Sequence, residues 1–298
     1  MELKLQISGG NASGLITYLE NYAKIRQSLL LEIDVENKCF VAKGLVDDRS
    51  AIRYSSLNFE DTNIQIVSAP ENITSRIQVG ILSNLDKFIK IVKRFDTYLA
   101  AEDAVVNIIV KFDYAFNDKK DEVLAATMIS FKTKQLSMKF DCFKVSEFCS
   151  LPDSEFFNKI FHVTNEIRFP LTVDTIKNIV STSDIVSMNA RGDILIFEIN
   201  NNQVSVMDKL VKTDDNGNII QEPSFSLNIA SLETSSSNEI YVPIRRETFI
   251  KMMGKADSNY EVIIGYHLLP DGSSTINRVL FESVTANTKV VISSVTIQ

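Results

Sequence analysis

The segment Asp86-Lys-Phe-Ile-Lys-Ile-Val92 returns twice in this chain, as Asp174-Thr-Ile-Lys-Asn-Ile-Val180 and as Glu247-Thr-Phe-Ile-Lys-Met-Met253. Each copy begins with an acid, places apolar residues at offsets two, five and six, and carries a lysine at offset three or four. Offsets two, five, six and nine share one helical face, so the pattern predicts three amphipathic helices with an acid in the first turn. An aspartate also follows at offset ten in every copy, as Asp96, Asp184 and Asp257.

A weaker fourth copy at 15–27 gives four helices in 298 residues, which indicates a repeated unit of about 75 residues. The chain between the helices is strand-like, because β-branched and aromatic residues partly alternate and turn residues separate the runs. The clearest runs are 29–35, 106–112, 194–199 and 260–266. Each unit therefore reads as a strand, a helix and about three further antiparallel strands.

One such unit is too small to bury its apolar face, whereas two units that share a sheet form a domain of about 150 residues. We therefore predict an α+β chain of two domains, each with two β-α-β-β-β units and with two helices packed on an antiparallel sheet. The predicted domains are 1–145 and 159–298, joined by a linker at 146–158.

The predicted linker has more apolar surface than an ordinary connection. It carries Phe148, Leu151, Phe156 and Phe157 close to Pro152 and several acids. These side chains either anchor the linker onto the sheets or border a partner-binding groove between the domains.

The composition excludes several classes of protein. Its hydrophobic content of 45% and charged content of 23% are those of a folded globular chain and not of a disordered one. No run of about eighteen apolar residues occurs, so no membrane span is expected. Cys39, Cys142 and Cys149 are odd in number and unclustered, which argues against a disulfide framework or a zinc site and favours reduced thiols in a cytoplasm.

The sequence contains no recognisable catalytic motif. His162 and His267 lie in strand-like stretches far from any cysteine, and P-loop, nucleophile-elbow and zinc-protease patterns are missing. The glycine-rich segment 8–14 lacks the lysine and the glycine spacing of a phosphate loop and is explained as a turn before a helix. We therefore expect neither an enzyme nor a bound cofactor or metal.

Positive charge is concentrated on the helices although the net charge is −7. Lys87, Lys90 and Arg94 lie opposite the apolar face of the first copy, and Lys251 and Lys255 do so in the third. One cationic helix is most simply a solvated face, but its recurrence favours contact with a polyanion. Lys93 lies beside this face, and the weaker candidates are Lys24, Lys177, Arg245 and Arg246.

Two domains of paired units with basic helix faces on an acidic protein resemble DNA sliding clamps, in particular those of T-even-type bacteriophage and, more distantly, proliferating-cell nuclear antigen. The resemblance is clearest in 80–92, 169–176 and 240–253, although the chain is longer than the phage clamps in loops such as 113–123 and 211–224. It implies a homotrimeric, head-to-tail ring that encircles duplex DNA without reading its sequence. DNA polymerase and a clamp loader would bind it through short peptide motifs, in the cytoplasm of a bacterial host if the chain is phage-encoded.

Twelve helices in such a trimer, about 10 Å apart, give a ring about 120 Å around and an opening of roughly 28 Å. A B-form duplex with a layer of water passes through this opening. The basic helix faces listed above would then line the channel.

The resemblance also implies where subunits and partners meet. Subunits would pair through the edge strands 135–140 and 225–229, with Leu136, Met138, Phe140, Phe225, Leu227 and Ile229 at the interface. The partner pocket would lie beside the linker and the C-terminal segment, at Phe148, Leu151, Phe157, Val295 and Ile297.

Two other interpretations remain open from the residues alone. A β-rich phage virion protein without enzymatic activity is also repetitive, acidic and free of motifs, and a carboxylate-based hydrolase could be hidden in the sheets. The recurring cationic helix face favours the clamp, because a virion building block does not need it.

Overall fold

The computed structural model describes residues 1–8, 12–71, 73, 76–100, 104–148, 165–186, 194–209, 212–253, 258–268, 274–275, 278–284 and 287–295. These residues form a mixed α+β structure, as predicted. The α-helices described are α1 (Ser13–Ala23), α2 (Leu85–Leu99), α3 (Val173–Val186) and α4 (Arg246–Met253). Short 3-10 helices occur at Glu60–Thr62 and Val145–Glu147.

Strands occupy most of the remaining described chain. The first half contains β1 (Glu2–Ser8), β2 (Leu29–Asp34), β3 (Cys39–Leu45), β4 (Ala51–Asn58), β5 (Ile64–Ser68), β6 (Ile77–Ile81), β7 (Val105–Phe116), β8 (Glu122–Lys132) and β9 (Ser137–Asp141). The second half contains β10 (Asn165–Leu171), β11 (Ile194–Met207), β12 (Lys212–Thr213), β13 (Ile219–Gln221), β14 (Ser226–Arg245), β15 (Tyr260–Leu268), β16 (Ser274–Thr275), β17 (Arg278–Ser283) and β18 (Thr288–Ser293).

The chain divides into two compact units. The first comprises residues 1–45 and 54–153, and the second comprises 46–53 and 154–298. The division at 153 falls inside the proposed linker 146–158. Residues 46–53 group with the second unit, which was not predicted from the sequence.

In the first unit the strand order is β3-β2-β6-β8-β7-β1-β5, with β9 paired to β8. The pairs are antiparallel except β6 with β8, which run parallel at Ile77 and Leu124. α2 buries Phe88, Ile91, Val92 and Phe95, in agreement with the apolar offsets of the repeat. Phe88 meets Phe131 of β8 edge to face, with ring centroids 5.8 Å apart.

In the second unit β10, β15, β17 and β18 form consecutive antiparallel neighbours, while β11 and β14 form a long separate ladder. Phe249 of α4, at the same repeat offset as Phe88, meets Phe281 of β17 edge to face at 6.0 Å. The aromatic packing of one unit is therefore repeated in the other.

Each unit makes the same kind of backbone hydrogen bond just after its last described strand. In the first unit the N–H of Phe143, two residues after β9, donates to the carbonyl of Gly80 at 2.9 Å. In the second unit the N–H of Val295, two residues after β18, donates to the carbonyl of Pro243 at 2.9 Å. The repetition inferred from the helices thus extends to the last strand of each unit.

Candidate nucleic-acid interface

The strongest cationic surface lies on α2. Lys87, Lys90 and Arg94 are exposed on the side opposite the buried face of this helix. The guanidinium of Arg94 lies 5.9 Å from the ring centroid of Tyr98, a cation–π distance that restrains this side chain. These residues present cationic groups to solvent, which can meet phosphates but do not form a pocket that reads bases.

Lys93 differs from its neighbours on α2. Its Nζ lies 2.6 Å from the Glu20 carboxylate of α1, and the lysine side chain is about half exposed. The ion pair joins the two helices and offsets the charge of Lys93 locally. This placement agrees with the offset of Lys93, which lies beside the cationic face and not at its centre.

The candidate cations of α3 and α4 lie close to acids. Lys177 Nζ is 3.8 Å from Asp174, and Lys251 Nζ is 2.6 Å from Glu247. The hydrogen bond from Lys251 and its charge hold the pKa of Glu247 below its ordinary value. Arg245, at the end of β14, bonds Asp48 at 2.8 Å.

Arg246 is mostly buried. Only 12% of its side chain is exposed, its Nε donates to Ser183 Oγ at 3.0 Å, and its guanidinium also pairs with Asp184. It joins the start of α4 to α3 and has little surface left for a phosphate. Lys24 is exposed directly after α1, and Lys255 lies outside the described residues.

Several strands present an edge on which no partner strand lies within the described part of the chain, and the two edges expected at the interface, those of β9 and of the start of β14, are among them. β9 pairs only with β8. The side chains of Met138 in β9 and of Leu136 just before it are half-buried, and that of Phe140 is buried. The start of β14 pairs only with β11, where Leu227 lies opposite Val206. Half-buried side chains at this start are Phe225, Leu227 and Ile229.

The residues proposed for the partner pocket are only partly described. Phe148 is buried over Gly80, where a Cβ on the glycine would come within 2.7 Å of its ring. Val295 is half-buried. Leu151, Phe157 and Ile297 lie outside the described residues.

An apolar groove of about 410 Å³ lies in the first unit, just before the linker. Its exposed aromatic side chains are Tyr114 and Phe116, each 63% exposed, and Phe143, 38% exposed. The other lining residues are Asp113, Ala115, Ala125, Ala126, Thr127, Cys142, Lys144, Val145 and Ser146. This groove was not predicted from the sequence, although two aromatic residues at alternate positions before the Asn117 turn were a signal for it.

Cys142 lines the groove without being a reactive thiol. Burial, with a smaller contribution from the Asp141 charge, raises its pKa to about 12. The thiolate needed for nucleophilic or metal chemistry is therefore scarce at neutral pH. Within the described residues no cluster of three or more His, Cys, Asp or Glu could hold a metal ion.

No protein-family model matches the chain, and no curated protein matches its sequence. Solved structures do match it over 99% of its length. A PCNA from A. fulgidus, bound to the C-terminal region of FEN-1, has a TM-score of 0.58 at 13% identity and is itself covered over 99% of its length. A PCNA2–PCNA3 complex from Sulfolobus tokodaii has a TM-score of 0.54 at 10% identity, again with 99% of both chains covered.

The chain has the sliding-clamp fold. A putative DNA polymerase III beta subunit from Eubacterium rectale shares this fold with a TM-score of 0.55 at 14% identity, and the chain spans 66% of it. The clamp fold expected from the repeats is therefore confirmed, whereas the likeness to the T-even phage type stays a prediction. No helix in the described part of the chain is long and apolar enough to cross a membrane.

Proposed function

We propose that this chain is a processivity clamp, a non-enzymatic homotrimeric ring that encircles duplex DNA and tethers a replicative polymerase. The observation that carries the proposal is the exposed cationic face of α2. This face belongs to a chain that has the clamp fold and a net charge of −7. A basic face within an acidic protein attracts the DNA backbone at one place and repels it elsewhere.

Contact through Lys and Arg side chains suits a protein that must slide. Phosphate contacts fix the position of a protein on the duplex but carry no sequence information, so every register along the DNA has similar free energy. Direct affinity is then weak and falls steeply with salt, because bound counterions are released. Stable retention would come from closure of the ring and not from affinity.

Ring closure would use the edges of β9 and of β14 at 226–229. Unpaired strand edges tend to pair with another chain, and a head-to-tail ring pairs these two edges in every copy without leaving an open filament. The second unit contains a related contact within itself, because the N–H of Ser293, at the end of β18, donates to the carbonyl of Ser50 at 2.8 Å. By repetition, Asp141 at the end of β9 would meet the residue just before β14 in the next copy.

Partner proteins would dock through short segments, as the C-terminal region of FEN-1 does on the A. fulgidus PCNA. The groove beside Tyr114, Phe116 and Phe143 is a candidate for the apolar anchor of such a segment, since aromatic residues are enriched among binding hot spots. This candidate adds to the pocket predicted at Phe148, Leu151, Phe157, Val295 and Ile297, and the exposure of its aromatic side chains permits contact.

The proposed encirclement is tested with a linear duplex whose ends are either free or blocked by a bulky protein. After the chain is bound at low salt, the salt is raised to break phosphate contacts. A ring remains on the blocked duplex and slides off the free one. Equal loss from both duplexes would contradict encirclement.

Docking in the groove is tested with Phe116→Trp, which provides the only tryptophan because the chain has none. The probe is a C-terminal peptide of the DNA polymerase encoded in the same genome. A peptide that fills the groove shifts the tryptophan emission to shorter wavelength, and Phe116→Ser weakens its binding. Tight binding without a spectral shift would place the docking site elsewhere.

A further inference from the structure

The four α-helices of the described residues differ in charge. α2 carries four basic and two acidic residues, a net charge of +2. α1 has a net charge of −1, because Glu20 is its one charged residue. α3 also has a net charge of −1, because it contains one lysine and two aspartates. α4 has a net charge of +1, but this includes the mostly buried Arg246.

The cations also differ in their pairing. Lys177, Arg245 and Lys251 each have an acid within 4 Å, so the negative charge of that acid offsets the positive charge that a nearby phosphate would meet. Within the described residues, no ion pair involves Lys87, Lys90 or Arg94. Among the cations on the described helices, these three side chains therefore have their charge available to a polyanion.

Their spacing places them on one strip of the helix surface. Positions i, i+3 and i+7 lie on one face and span about 10 Å along the axis. The whole span equals about three phosphate steps of a single DNA strand, which rises about 3.4 Å per residue along the axis. The strip can thus follow a short stretch of one backbone.

We infer that one helix per chain, α2, makes the main phosphate contacts, through Lys87, Lys90 and Arg94. The inference rests on the proposed ring. Three α2 strips on a ring about 120 Å around lie about 40 Å apart. The duplex rests off the ring axis against a single strip and moves between equivalent strips, while the helices of the second unit serve as neutral walls.

The inference is tested by the salt dependence of binding to a short linear duplex with open ends. One variant carries Lys87→Gln, Lys90→Gln and Arg94→Gln, and the matched control carries Lys177→Gln, Arg245→Gln and Lys251→Gln. Both change three exposed cations, and urea unfolding verifies that both variants remain folded. Each phosphate contact contributes about 0.9 to the slope of log K against log salt.

The α2 variant is expected to lower the slope by about 2 to 3 and to bind at least tenfold more weakly at low salt, while the control changes the slope by less than about 1. An equal loss in the control would overturn the one-helix inference and leave the proposed clamp intact. Absence of any duplex binding by the unmodified chain at low salt would contradict both.

Discussion

Asp96 of α2 accepts a hydrogen bond from the backbone N–H of Ala12, with Oδ1 2.5 Å from the nitrogen. Ala12 precedes α1, so the aspartate satisfies a donor at the start of the neighbouring helix. In the second unit the equivalent Asp184 of α3 pairs with Arg246, the first residue of α4. In two of the three copies the aspartate at offset ten thus joins the two described helices of a unit, and Asp257 of the third copy lies outside the described residues.

Asp96→Ala is expected to lower the free energy of unfolding by about 1 kcal/mol, because the start of α1 loses its capping carboxylate. Asp86→Ala, which removes an exposed acid from the first turn of α2, serves as the control and should cost less. Urea unfolding measures both. Equal stability of the two variants would mean that Asp96 does not act as a cap.

Gly80→Ala is expected to destabilise the first unit by about 1–3 kcal/mol. A Cβ at this position would lie 2.5 Å from the carbonyl oxygen of Phe143 and 2.7 Å from the Phe148 ring, so the segment after β9 must move. Gly217→Asn is the control. A Cβ at Gly217 would meet nothing within 4 Å, and asparagine tolerates the backbone φ of +82° at this position. A Gly80→Ala chain as stable as the control would contradict this packing.

Asp34 makes the first unit sensitive to acid. Burial alone raises the pKa of this carboxyl, but the hydrogen bonds from Asn37 and Arg76 outweigh it and hold the pKa below its ordinary value. The stabilisation is therefore present above about pH 4 and is lost as the pH falls through the lower folded-state pKa.

Asp34→Asn should accordingly be less stable at pH 7 and should lose less stability between pH 7 and pH 3 than the unmodified chain. Urea midpoints at both pH values measure this difference. Glu36→Gln changes an exposed acid two residues away and is the control. An unchanged pH slope in Asp34→Asn would show that other carboxyls cause the acid sensitivity.

Lys93→Gln is expected to weaken duplex binding less than Lys90→Gln does, because Glu20 already offsets the charge of Lys93. Fluorescence anisotropy of a labelled duplex at low salt compares the two variants. Glu20→Gln adds a second comparison, since removal of the acid frees Lys93 and should strengthen binding. A larger loss for Lys93→Gln than for Lys90→Gln would mean that Lys93 belongs to the contact strip.

The sequence predicted the elements that depend on local patterns. Helix faces follow from apolar spacing, so α2 and its exposed Lys87 and Lys90 were predictable, and the repeat led to the clamp fold. Interactions between distant segments were not predictable. The burial of Arg246 depends on Ser183 and Asp184, and the groove at Phe116 depends on Phe143 crossing to Gly80.

The mass of the chain in solution tests the proposed ring most directly. Sedimentation equilibrium at micromolar concentration should give about three times the chain mass of 33.5 kDa. Met138→Pro removes a backbone donor from β9 and should give a folded monomer. A chain that stays at 33.5 kDa at every concentration, or a trimer that survives Met138→Pro with unchanged stability, would contradict ring closure through this edge.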